Sequence, residues 1–147
     1  MDQKPVDIEF FFHKGGFNCA ESVFRVLCAR GVIDAPVEYS KILSGFGGGM
    51  QQGYICGAIV GGVMALGWVY GRTNLTESRD PSACAVKEFL ARFKERFGEP
   101  YECDTLREHF MPGEETRSPE MYRQCASFVG MAVDIVTDIV KRPPYDL

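Results

Sequence analysis

The sequence predicts an all-α protein on three observations. Apolar residues recur with a helical period wherever a pattern is legible, clean apolar–polar alternation is scarce, and helix start and stop signals bracket the periodic segments. Its 147 residues read as one domain, 1–147, a helical bundle of about six to seven helices around a glycine-rich central helix. A chain this long can bury about 68 to 70% of its unfolded surface, so it can build a core without staples.

The first helix is expected over residues 5–14, with Ile8, Phe11 and Phe12 on its buried side, and Gly15 and Gly16 stop it. Asn18 followed three residues later by Glu21 resembles a capping box, opening a second helix that runs to Arg30 and ends at Gly31. Pro36 opens a third over 36–44, which ends against the run GFGGGMQQG. The central helix falls within 54–71, YICGAIVGGVMALGWVYG, part of the longest uncharged stretch, and is expected to be buried on all sides. Asp80 caps and Pro81 opens a fifth helix, closed by Gly98, in which Phe89, Phe93 and Phe97 recur every four residues opposite a charged face. A short helix from Asp104 to Phe110 and a polar loop lead to the last, Pro119 to Val140, which Pro143 and Pro144 keep from continuing.

With 46% apolar and 24% charged residues the chain is not a disordered one, and a formal charge of −4 with a pI near 5.2 offers no basic field for nucleic acid. The acidic N-terminus lacks the basic segment, long apolar run and cleavage site of a secretory signal, so a cytoplasmic location is expected. The charge-free stretch 53–71 nearly matches a hydrocarbon thickness. Its glycines dilute the apolarity, however, and no second such segment accompanies it, so no membrane span is expected. Gly53, Gly57, Gly61 and Ala65 instead form a stripe of small residues for close helix packing, which would also serve a homodimer interface. A phosphate loop would need a lysine after the glycines, and none is present.

Six cysteines remain: Cys19, Cys28, Cys56, Cys84, Cys103 and Cys125. No CxxC pair occurs, which removes thioredoxin, zinc-ribbon, covalent-haem and bacterial-ferredoxin spacings and leaves any site to be assembled by the tertiary fold. Cys19, Cys56 and Cys103 fall at expected helix N-termini, where unpaired N–H groups favour a thiolate. Cys28 lies half a turn round its helix from Cys19 and reads as a small core residue. Cys84, in a first turn, stays open as a ligand. Cys125 reads, on its surroundings alone, as a buried core thiol.

Cys19 in FNCAESV, CGAIVG at 56–61, then Cys103 and Cys125, with GFGGGM and GWVYGR alongside, are similar to a family described as redox-active and named for that order of cysteines. The likeness spans nearly the whole chain, and Cys28 and Cys84 are not part of its pattern. It implies that Cys19, Cys56, Cys103 and Cys125 act together as a redox or iron–sulfur site. A similar domain occurs in split-Soret cytochromes; this chain has no CxxCH, so covalent haem is not carried over.

Four thiolates are the usual ligands of a [2Fe–2S] or [4Fe–4S] cluster, and Gly53 and Gly57 would let backbone approach it. The expected partner is a redox protein or a small redox substrate. The alternative is a cluster-free dithiol oxidoreductase in which Cys19 or Cys56 attacks and Cys103 or Cys125 resolves. A structural zinc site made by the four cysteines is a third reading, against which the missing knuckle argues. His13 and His109 are not expected as ligands, and Arg72 and Lys87 read as surface charges.

Overall fold

Asn18 starts the second helix as its neighbours predict. Its Oδ1 accepts the Glu21 N–H at 2.8 Å, and the Glu21 carboxylate accepts the Asn18 N–H at 3.0 Å. The computed structural model describes residues 7–14, 16–98, 101–113 and 118–142, and the fold is all-α. Residues 5 and 6 of the expected first helix, Gly15, Pro143 and Pro144 lie outside the described residues.

The helices are α1 (Glu9–Lys14, wound as a π-helix), α2 (Cys19–Ala29), α3 (Val37–Phe46), α4 (Gly57–Tyr70), α5 (Asp80–Phe97), α6 (Cys103–Phe110) and α7 (Pro119–Lys141). Ile8 and Phe12 are buried and Phe11 is partly so. α3 is a 3₁₀-helix, extending two residues past the expected end at Ser44. α5 begins one residue early, with Arg79 at the cap and Pro81 in the first turn. α6 likewise begins at Cys103, with Glu102 as its cap. Ser118 Oγ caps α7 by accepting the Met121 N–H at 3.1 Å.

α4 packs against α2, α5 and α7. A side chain at Gly61 would meet the Ala20 carbonyl oxygen at 2.6 Å, and one at Gly62 would collide with the Phe89 ring. These absences let α2 and α5 approach at backbone distance. The expected full burial of α4 holds only for its N-terminal part. Trp68 is 43% exposed in the last turn, its indole N–H donating to the Asp34 carbonyl at 3.1 Å and its ring edge-on to Tyr39.

Continuing from Phe89, the rings of Phe93, Phe97, Phe110 and Phe128 form an aromatic cluster with centroids 4.8 to 6.4 Å apart, joining α5, α6 and α7. Among the described residues no helix is long and apolar enough to cross a membrane.

Candidate functional site

Between α3 and α4 the chain winds left-handed. Gly48, Gly49, Met50 and Gln51 have φ of 59°, 63°, 61° and 61°, and Gly53 has 75°. This conformation costs an L-residue about 1–2 kcal/mol, and two of the five residues are not glycine. The turn is closed by the Tyr54 N–H on the Gly49 carbonyl at 2.8 Å and the Gln51 side-chain amide on the Gly47 carbonyl at 2.9 Å. A side chain at Gly49 would come within 2.8 Å of Cys103 Cβ, so the turn lies directly on a cysteine.

Leaving the turn, residues 54–56 run antiparallel to 101–103. The Cys56 N–H donates to the Tyr101 carbonyl at 2.7 Å and the Cys103 N–H to the Tyr54 carbonyl at 2.5 Å, on either side of the bridged pair Ile55 and Glu102. Two distant cysteines are thereby tied to one another through backbone. Cys56 then caps α4 and Cys103 opens α6. Cys19 opens α2 behind Asn18, held against α4 because a side chain at Gly57 would stand only 3.1 Å from Cys19 Cβ. Cys125 comes from the middle of α7.

All four line one cavity of about 500 Å³, within the range of small-molecule and cofactor sites. Phe12, Phe17, Tyr122 and Phe128 wall it, Gly47, Gly48 and Gly57 give backbone surface, and Arg107 is its only lining cation among the described residues. No Asp, Glu or His among them lines it. Nor are any three His, Cys, Asp or Glu side chains among the described residues gathered tightly enough to chelate a single ion.

Burial governs the thiols more than helix ends do. Desolvation pushes Cys56 up to about 12, against the Ala58 and Ile59 N–H groups that face its sulfur. Cys103 is raised by burial and by Cys125, with Arg107 opposing. Cys19 is raised well above its ordinary value, first by its hydrogen bond to Cys125 and then by burial. Cys125 is lowered, because the Cys19 S–H donates to its sulfur and Arg107 adds its charge. The expected preference for thiolates at Cys19, Cys56 and Cys103 is therefore corrected. In a cavity lined by four thiols and one cation, the helix N–H groups do not repay the lost hydration.

Cys28 and Cys84 stand apart from this cavity. Cys28 donates its S–H to the Ala35 carbonyl at 3.6 Å, and Cys84 stays in the first turn of α5. Gly57 is in the cavity wall, whereas Gly53 faces the Asp104 carboxylate. His109 lies edge-on to Phe110, and the side chain of His13 is outside the described residues. Arg107 escaped the sequence reading, although it follows Cys103 by four residues and so shares its helix face.

These features define a helical protein in which four thiols from four separate helices share one largely apolar chamber. Residues 17–139 match the family described as "putative redox-active protein (C_GCAxxG_C_C)", and the chain belongs to that family. No curated protein and no solved structure matched it.

Proposed function

We propose that this protein carries electrons through an iron–sulfur cluster held by Cys19, Cys56, Cys103 and Cys125. The observation that carries the proposal is the convergence of four sulfurs, with no carboxylate or imidazole among the described residues, on one cavity. An all-sulfur set of soft ligands suits iron–sulfur chemistry. A lone tetrahedral zinc would need its sulfurs about 3.8 Å apart, from bonds of about 2.3 Å. Among the described residues no three such side chains are gathered tightly enough for that ion.

When bound, the cluster would supply reversible one-electron transfer. The chain's own part is to exclude water with Phe12, Phe17, Tyr122 and Phe128, and to direct donors at the sulfurs. The Ala58 and Ile59 N–H groups face Cys56, and the Arg107 guanidinium faces Cys103. Donors to ligand sulfurs stabilise the more negative, reduced state.

The test is anaerobic purification with iron and sulfide analysis. A brown protein absorbing near roughly 400 nm is expected. Serine at any of the four cysteines should bleach it, while Cys28→Ala and Cys84→Ala should leave the colour. A colourless, iron-free protein under these conditions would sink the proposal.

One observation favours a second reading, the hydrogen bond from Cys19 to Cys125. Without iron, these two thiols would lose two protons and two electrons to an oxidant and form one disulfide between α2 and α7. With a disulfide as the oxidant, the lowered thiol Cys125, and not Cys19 or Cys56, would attack one of its sulfurs and release the first thiol, and Cys19 would then displace the second to close the Cys19–Cys125 bond. Peptide mapping after mild oxidation checks this. A pairing other than Cys19 with Cys125 would count against it.

A further inference from the structure

We infer that the face formed by Met50, Tyr54 and Ile55 with Glu102, Asp104 and Glu108 is the docking surface for a basic electron-carrier protein. The inference rests on the electron-carrier reading above and adds the partner's chemistry and the place where it sits.

An electron leaving a buried sulfur site crosses the protein where the wall is thinnest. Ile55 is bonded to Cys56 and Glu102 to Cys103, and the two are bridged to each other across the antiparallel pair. Side chains alternate along extended chain, and directly opposed residues share a face. The buried Cys56 therefore turns inward while Ile55 and Glu102 turn outward together, so one residue separates Cys56 from solvent, and Cys103 beside it is itself only partly buried.

That outer surface is apolar beyond what the fold needs. Tyr54 is 56% exposed, Met50 48% and Ile55 38%, all on the loop that leads into Cys56. The Asp104 carboxylate packs on the same loop at Gly53 and keeps its side chain 70% exposed. One turn further, Glu108 shares with Asp104 and Met111 the border of a shallow groove. Arg107 pairs with Asp104 at 3.7 Å and also lines the cysteine cavity, so its charge is shared with the sulfur site. Among the described residues Glu102 and Glu108 make no ion pair.

Charge selects the occupant. Two copies of this face would bring acid against acid, which repels. A partner presenting lysine or arginine around an apolar centre is steered in and satisfied. The apolar centre is small, matching weak electron-transfer encounters that bury less than about 1,200 Å².

The experiment mixes the dithionite-reduced holoprotein with two outer-sphere oxidants of opposite charge. In each reaction the protein is oxidised by one electron as cobalt(III) or iron(III) is reduced to the divalent metal. At low salt, tris(phenanthroline)cobalt(III), a bulky aromatic cation, should react fast. Glu102→Gln with Glu108→Gln should slow it by about tenfold and speed ferricyanide, and both effects should vanish at about 1 M salt. Tyr54→Ser with Ile55→Ser should slow the aromatic cation further and leave ferricyanide unchanged. Asp104 is spared in the first variant because it packs on the loop, and an unchanged visible spectrum verifies the site in each.

Rates within twofold of the parent for both oxidants would overturn the docking face while leaving the electron carrier intact. A reduced protein that yields no electron to either oxidant would overturn both. A dimer that dissolves on Tyr54→Ser with Ile55→Ser would assign the face to a second copy and overturn the basic partner.

Discussion

Two glycine-rich regions meet at Cys56, and they use glycine for opposite reasons. In α4 the glycines have ordinary helical dihedrals, and what matters is the missing side chain: Gly61 admits the backbone of α2 and Gly62 the ring of Phe89. In the turn before it, Gly48, Gly49 and Gly53 are there for positive φ. The first use builds a rigid seam with its energy in packing. The second stores strain, since Met50 and Gln51 adopt the same left-handed conformation without glycine's freedom. A sulfur-bearing residue at the junction inherits a fixed helix on one side and a strained strap on the other.

The largest effect that would probe this contrast is expected at Cys56 itself. Its pKa of about 12, against an ordinary 9.0, means that the folded protein holds this proton more tightly than the unfolded chain does. The resulting stability is complete below about pH 9 and lost as pH rises towards 12, a swing of about 4 kcal/mol. Metal-free protein should therefore melt progressively lower between these limits, and Cys56→Ala should make the dependence shallower, the raised Cys19 and Cys103 leaving the rest. An unchanged slope in that variant would show that burial at the junction is not what holds the proton.

Gly61→Val tests the seam. Forcing a side chain against the Ala20 carbonyl and Val23 should cost about 3 kcal/mol, seen as a lower urea midpoint and a Tm reduced by about 6–12 °C. Gly53→Ala tests the strap, where both φ and the Asp104 carboxylate oppose a side chain. A loss of about 2 kcal/mol is expected, part of it recovered in an Asp104→Ala background. Here the site should suffer more than the fold, with iron content falling before helical ellipticity does. Met50→Gly is the smallest and runs the other way. Relief of its strain should raise stability by about 1 kcal/mol, and a lower Tm would show that Met50 contributes packing that outweighs its dihedral.

Much of the fold was legible because its signals are local. The capping box at Asn18, the proline at the start of α5 and the four-residue recurrence of Phe89, Phe93 and Phe97 each act within a turn or two of chain. Reading failed where neighbours across space decide. Val37–Phe46 tightened into a 3₁₀-helix, and α4 began at Gly57 because Tyr54, Ile55 and Cys56 are drawn into pairing with 101–103. The last turn of α4 surfaces although its residues are as apolar as those before it. In the site, the placement of cysteines at the starts of helices was readable, but their protonation was not. The N–H groups that favour a thiolate are encoded locally, whereas the desolvation that overrides them comes from every element closing over the cavity.

What the sequence determined by itself is the inventory: helices with their caps, a glycine run with no use as a phosphate loop, and four cysteines in the order of a redox-active family. Only the tertiary structure decided that Cys19, Cys56, Cys103 and Cys125 share a cavity and that Arg107 joins them. It also decided that Cys28 and Cys84 stand outside, and that Gly53 serves the loop and not the chamber. The reason is one of range. Capping and periodicity act within a few residues, whereas a site assembled from four helices exists only once packing has brought together residues as far apart as 19 and 125.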